Sequence, residues 1–287
     1  MILIKIADYN GIFLKKIELN IYNMDLKLKD KTAFISGSTA GIGFAIAKRL
    51  LDEGAIVIIN GRMKDNVDMA VKELSTLVPH ARISGIPADF SKVEEVNRLI
   101  GNLPEIDILV NNAGIFEPKP FAEIPDEDWF RFFEVNVMSG IRLSRHCFPG
   151  MLKKNWGRII FISSESAIFI PAEMIQYGMT KTAQLAISRG LAELTKGTNV
   201  TVNSILPGPT RSKGVGGFIE ELAKAGNVSV EEVEVDFFKN IRPTSLIQRF
   251  ASVEEIADTV AYYASPLSSA TNGASILVEG GLIRSIA

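Results

Sequence analysis

The chain has little with which to hold a metal or close a crosslink: one cysteine, Cys147, and two histidines, His80 and His146, in 287 residues. A lone thiol cannot form an internal disulfide, and no paired thiolate or imidazole spacing for zinc exists. No metal is expected, and a reduced, cytoplasmic setting is. Equally absent is an uninterrupted apolar run of about 18 residues, the length a membrane-crossing helix needs. Charge of one sign is scarce as well. The 31 Lys and Arg and 33 Asp and Glu are interspersed, with a net charge of −2, so neither nucleic acid nor an anionic membrane is an expected partner. A small molecule is. The opening stretch "MILIKIADYNGIFLKKIELNIYN" has no long apolar centre and no small-residue cleavage site, which makes it a poor secretory signal. Met24 is a plausible alternative start, so residues 1–23 read as an N-terminal extension that the native protein need not contain, and 24–287 as one domain.

What is present is ordinary globular material, 47% hydrophobic and 22% charged, enough for a large core. From Lys31 short apolar runs alternate with amphipathic segments: "TAFIS", a helix from Gly41 to Glu53, "AIVIIN", a helix near 64–77, "RISGI", a helix from about Lys92, "IDILVN". A long helical region ending near Lys154 follows, then "RIIFIS", a helix around Glu173 to Lys196, and "VTVNSIL". Runs of Val and Ile without polar alternation suit strands covered on both faces. The order predicts an α/β fold, a doubly wound parallel sheet of about seven strands with helices on both faces. After Leu206 the pattern breaks into "PGPTRSKGVGG" and a polar helical stretch to about Asn240, then resumes with a helix near 253–264 and a last strand, "ASILVEGG".

The turn "SGSTAGIG", residues 36–43, joins the first strand to the first helix. Gly37, Gly41 and Gly43 permit positive φ and close backbone approach, and the helix N-terminus beyond them presents free N–H groups to a phosphate. A dinucleotide pyrophosphate fits, with Ser38, Thr39 and Ile42 in the same turn. The spacing G-x-x-x-G-x-G departs from G-x-G-x-x-G, and no G-K-S/T follows, which disfavours a nucleoside triphosphate. The second strand ends in Asn60, Gly61 and Arg62, where a carboxylate would accept from the adenosine ribose hydroxyls and repel a 2′-phosphate. Arg62 pairs with such a phosphate instead, so NADP is the expected cofactor, with NAD as the alternative if Arg62 is only a solvated loop cation.

"SSESAIFIPAEMIQYGMTK" sets Tyr177 and Lys181 four residues apart, on one face of a helix. A phenol near its ordinary pKa is a poor acid–base catalyst at neutral pH, and a nearby ammonium lowers that pKa. The same pair also occurs by accident on amphipathic helices. Ser163 and Ser164 end a strand at the carboxyl edge of the sheet, where open α/β folds bind ligands and where a hydroxyl can hold a substrate carbonyl.

Taken together, "SGSTAGIG", "ADF" around Asp89, "NNAG" at 111–114, "VNV" around Asn136, "ISS" at 162–164, "YGMTK" and "LPGPT" at 206–210 resemble the NAD(P)-dependent short-chain dehydrogenase/reductase family. The likeness runs from about Asp30 to Ile286, to members of the 3-oxoacyl-ACP-reductase-like or gluconate-5-dehydrogenase-like kind. It implies a single-domain Rossmann fold. It also implies that Ser164 rather than Ser163 is the catalytic serine, that Tyr177 is the general acid–base, and that Lys181 lowers the phenol pKa and binds the nicotinamide ribose. Asn136 holds a relay water on this pattern. The resemblance places Asp89 and Phe90 at the adenine, Asn112, Ala113 and Gly114 along the cofactor, and Pro207, Gly208 and Thr210 near the nicotinamide amide. The reaction it implies is hydride transfer between NADP(H) and a carbonyl or secondary alcohol, most naturally carbonyl reduction. The alternatives are an NAD-linked alcohol or sugar dehydrogenase working oxidatively, and a catalytically silent cofactor-binding regulator. Residues 211–245 are the expected substrate lid, with Gly214, Gly216 and Gly217 as hinges and Phe218, Ile219, Phe237 and Phe238 either facing substrate or packing on the body. The family's C-terminal helix and last strand imply a homotetramer or homodimer.

Overall fold

Along the first strand, β1 (Thr32–Ile35), Ala33 and Ile35 enter one apolar layer and Phe34 enters the other. The same alternation recurs in β4 (Ile108–Asn111), where Ile108 and Val110 oppose Leu109, and in β5 (Gly157–Ile162), where Ile160 and Ile162 oppose Ile159 and Phe161. Side chains alternate across a strand, so a run apolar at every position needs cover on both faces. Each fully buried side chain of the Phe34 or Ile35 kind contributes about 1.5–3 kcal/mol.

This computed structural model describes residues 24–286. The reading of 1–23 as an extension lies outside the described residues. So does the side chain of Phe218.

The remaining strands are β2 (Ile56–Gly61), β3 (Arg82–Pro87), β6 (Val200–Pro207) and β7 (Ser275–Val278). All pair in parallel in the order β3-β2-β1-β4-β5-β6-β7, the seven-stranded doubly wound sheet expected. One face carries α1 (Gly41–Asp52), α2 (Lys64–Leu77) and α9 (Val253–Ala264), through Ile46, Leu50, Leu74 and Val260. The other carries α3 (Val93–Gly101), α5 (Ser139–Lys153) and α6 (Ile175–Glu193), through Leu99, Leu143, Met151 and Ala192. The chain reverses direction across the sheet between β1 and β4, which places a crevice at the carboxyl ends of those two strands.

Two elements differ from expectation. The long helix before Lys154 is three pieces: α4 (Asp126–Phe133), a π-helical turn over Glu134–Met138, and α5. Such turns recur at functional sites, and this one contains Asn136. The stretch after β6 is α7 (Lys213–Gly226), α8 (Val230–Asp236) and a second π-helical turn, Phe237–Ile241. Here Phe237, tilted, and Phe238, edge-on, pack against Phe250 at 5.0 Å between centroids, in one cluster with Ile219. Ile219, Phe237 and Phe238 of the expected lid therefore form a small core with Phe250.

Candidate active site

The crevice is built first from the glycine turn. Gly37 and Gly41 have φ of +62° and +59°, and a Cβ on Gly43 would stand 2.5 Å from both the Gly37 carbonyl and Asn112 Nδ2, closer than real Cβ atoms come. Ala40 caps α1 without a side-chain hydrogen bond, so the first N–H groups of the helix stay open to an anion. This cradle fits a dinucleotide pyrophosphate and no bulkier turn would. It is held from the β4 side, where Asn112 Nδ2 donates to the Ser36 and Gly37 carbonyls at 3.0 and 2.8 Å, and the backbone N–H groups of Asn112 and Ala113 both donate to Ser36 Oγ at 2.9 Å.

Several residues expected at the cofactor have side chains engaged within the protein, which leaves their backbone groups to face a ligand. Asn60 is 1% exposed. Its Oδ1 accepts from Gly37 N–H at 3.1 Å, and its Nδ2 donates to the Ile86 and Ala88 carbonyls. With both ends of the amide engaged, the Asn60 side chain braces the turn from below. Ser38 is buried likewise, donating to the Ile35 carbonyl at 2.7 Å and accepting from Asn60 N–H. Phe90 lies in the apolar layer with Leu99 and Phe34. Ile42 packs on the opposite layer. Thr39 leans over Gly61 at the end of β2, beside exposed Arg62, to which no ion pair is made among the described residues. Burial pushes the Asp89 carboxyl up, but the Ser91 N–H and hydroxyl, with the charges of Arg62 and Lys92, outweigh it and hold Asp89 below its ordinary range. Only Oδ1 of Asp89 is used by Ser91. At the far side, a Cβ on Gly208 would meet Glu279 at 2.6 Å, and Thr210 Oγ1 donates to the Gly208 carbonyl at 2.9 Å, stiffening the turn that Pro207 begins.

The side chains expected to react meet at the carboxyl end of β5. Ser164 is buried and its Oγ accepts from Ser166 N–H at 3.1 Å. Ser163 points elsewhere, donating to the Lys181 carbonyl at 2.9 Å, which separates the two serines on geometry. Tyr177, half-buried on α6, stands edge-on to Phe116 at 6.3 Å. Lys181, one turn on, is 4% exposed and donates from Nζ to the Ile162 carbonyl at 2.8 Å, with Gln184 Oε1 at 3.4 Å. Its ammonium lies 5.5 Å from the Tyr177 ring centroid and 3.5 Å from where a Gly114 Cβ would stand. Asn136 is fully buried. Its side chain exchanges hydrogen bonds with the Ile115 backbone at 2.7 and 2.9 Å and donates to Thr180 Oγ1 at 3.0 Å, while its own carbonyl accepts from Gln184 Nε2 at 2.5 Å.

The electrostatics differ from the expected lysine-lowered phenol. Burial, then the negative charge of Glu165, push the Tyr177 phenol well above its ordinary value, and a hydrogen bond with Ser164 alone pulls it down. Desolvation pushes the Lys181 ammonium down to about 8, opposed by Glu165, so its charge is lost as pH rises through that value. The phenol is thus held protonated, as a proton donor must be, with a partly desolvated cation near its ring. Three participants were missed in the sequence: Glu165, Gln184 and Thr180. Gln184 was findable at i+3 from Lys181 on the same helix face, whereas nothing local in the sequence marks Glu165 as buried. Among the described residues no His, Cys, Asp and Glu group is placed to hold a metal ion, and no helix is long and apolar enough to cross a membrane.

Parallel sheet, reversal point and convergent serine, tyrosine and lysine define an α/β oxidoreductase. The chain belongs to the short-chain dehydrogenase/reductase family, whose model, described as short chain dehydrogenase, matches residues 31–222. It is 51% identical over 263 residues to an uncharacterized oxidoreductase, YvaG, of Bacillus subtilis, covering 92% of this chain and 100% of that one. It is 32% identical over 263 residues to the 3-oxoacyl-[acyl-carrier-protein] reductase FabG of Aquifex aeolicus, covering 90% and 100%. Among solved structures it resembles L-sorbose reductase from Gluconobacter frateurii, complexed with NADPH and L-sorbose, at a TM-score of 0.86 and 30% identity over 92% of this chain and 100% of that one.

Proposed function

We propose that this oxidoreductase reduces a carbonyl group on a small molecule, with NADPH as the reductant, in a reducing cytoplasmic setting. The observation that carries the reading is the meeting of Ser164, Tyr177 and Lys181 at the edge of the sheet that also holds the glycine turn. NADPH supplies the hydride. Tyr177 gives its phenolic proton to the carbonyl oxygen as charge develops there, and Ser164 is the second donor to that oxygen. Lys181, pinned by the Ile162 carbonyl and Gln184, keeps a positive charge near the phenolate left behind. Asn136 locks α6 against the 111–115 loop through Thr180 and Ile115, and its carbonyl retains a lone pair for a relay water. Arg62 and the lack of a carboxylate at the end of β2 support NADP over NAD, as does the NADPH in the L-sorbose reductase likeness. That likeness also makes polyhydroxy ketones the first substrates to try.

The test is NADPH consumption over a panel of ketoses, oxo esters and cyclic ketones, by wild type and Tyr177→Phe. The variant is expected to lose about 100- to 10,000-fold in kcat while NADPH binding, read by fluorescence, stays close to wild type. Turnover retained in Tyr177→Phe refutes the assignment, and NAD-linked alcohol oxidation with no NADPH activity favours the oxidative alternative. We further propose that 24–287 is one catalytic domain, with residues 211–245 as its substrate lid, and that it assembles as a homotetramer or homodimer through α9 and β7. Sedimentation as a monomer at working concentration would count against that assembly.

A further inference from the structure

Glu165 follows Ser164 directly and is 6% exposed. Ser164 Oγ donates its proton to Glu165 Oε2 at 2.5 Å and accepts from Ser166 N–H at 3.1 Å, and the Tyr177 hydroxyl beside it competes for the same proton. A serine hydroxyl has one proton. While that proton points at a carboxylate, Ser164 has none to offer a substrate oxygen, although polarising that oxygen is the task given to it above.

We propose that Glu165 is a positioning residue that sets the direction of the Ser164 hydroxyl: as a neutral acid it donates to Ser164 Oγ and turns the serine proton toward the substrate oxygen, and as a carboxylate it withholds that proton. The proposal rests on the carbonyl-reductase reading. The surroundings make the neutral acid accessible. Desolvation raises the Glu165 carboxyl above its ordinary value, opposed by the Ser164 hydrogen bond, the charge of Arg242, and the N–H and hydroxyl of Ser166. The charged and titratable groups facing it are Tyr177 and Lys181 from α6 and Arg242 from the lid segment. β6, which also packs on the 165–167 turn, brings no titratable side chain. The charge of ionised Glu165 also raises the Tyr177 phenol, which moves the tyrosine's own ionisation to higher pH and adds none to the count.

The experiment compares pH profiles of reductive kcat/KM for wild type, Glu165→Gln, Glu165→Met and Ser164→Ala. The number of ionisations in the alkaline limb is the readout, since each adds a fall of about tenfold per pH unit. Glu165→Gln and Glu165→Met are each expected to show one ionisation fewer than wild type, and Ser164→Ala likewise, because Glu165 acts through that hydroxyl. Profiles with the wild-type number in both Glu165 variants overturn the proposal. So does a limb that loses its ionisation on changing Glu165 but keeps it in Ser164→Ala, which would place the effect on Tyr177 alone. A second measurement needs no turnover: the pH-difference infrared spectrum of the resting protein should contain a carboxylic-acid carbonyl band that disappears as pH rises and is missing from Glu165→Gln. Glu165 found ionised throughout the neutral range overturns the proposal even if reduction is confirmed. A titrating Glu165 in a protein that reduces no member of the panel sinks the functional reading and leaves the proton on Glu165 established.

Discussion

Arg62 is exposed at the end of β2, close enough for its charge to act on Asp89 across the gap to β3, and no carboxylate flanks it in "NGR". A 2′-phosphate there gains a charge-assisted hydrogen bond of about 1.5–3 kcal/mol. Arg62→Ala is therefore expected to weaken NADPH about 10- to 100-fold and to leave NADH within about a factor of 3, measured by fluorescence titration of each. Equal losses for both cofactors would reassign Arg62 to the pyrophosphate or to the fold. At this scale the sequence is informative where a residue's chemistry is unusual for its place. Tyr177 and Lys181 are separated by one helical turn, and that spacing alone makes them neighbours. The direction of the Asn60 side chain is not legible in the sequence, because position at a strand end does not reveal where an amide turns: its partners are Gly37 in the glycine turn and Ile86 and Ala88 at the end of β3. Glu165 was passed over for a related reason. Nothing local distinguishes an acid facing water from one sealed against Ser164 and α6.

The element most exposed to a single atom is the glycine turn. Its contacts form a closed set, with Asn112 reaching from β4 to the Ser36 and Gly37 carbonyls and Asn60 holding Gly37 N–H from β2. A methyl on Gly43 enters that set at 2.5 Å from the Gly37 carbonyl and 2.8 Å from Ser38 Cα, and because these are backbone atoms the turn itself must move. Gly43→Ala should reduce NADPH affinity by more than tenfold and lower stability by about 1–3 kcal/mol, the range for overpacking, read by titration and by denaturant unfolding. Wild-type affinity in a folded variant would mean that the pyrophosphate binds elsewhere. The turn was legible because glycine has few other reasons to recur between an apolar run and a helix. The π-helical turn at Glu134–Met138 was not, since "EVNVM" has ordinary helical character and the widened turn is fixed by tertiary partners: Gln184 on the Asn136 carbonyl, Thr180 and Ile115 on its side chain.

Across the whole molecule, chemistry gathers at the carboxyl edge of the sheet and an equally buried charge secures the opposite edge. Arg158, at the start of β5, is 1% exposed, and desolvation lowers its pKa to about 10. Its guanidinium donates to the Gly157 and Asn199 carbonyls at 2.9 Å and to the Ser265 carbonyl at 3.2 Å, and lies over the Trp156 ring at 4.8 Å. One side chain thus ties the entrances of β5 and β6 to the end of α9. The alternation of strands and helices made the layers readable because burial on both faces imposes Val and Ile runs. It gave no sign of this arginine, whose partners are backbone carbonyls with no residue signature. Arg158→Met fills the space but leaves those acceptors unpaired, at about 1–3 kcal/mol each where no water reaches them. The expected result is a lower denaturant midpoint with NADPH affinity and kcat/KM of the folded protein near wild type, because no side chain of the site touches Arg158. A loss of kcat/KM at undiminished stability would instead couple the two edges of the sheet, and the division between the edge that reacts and the edge that anchors would not hold.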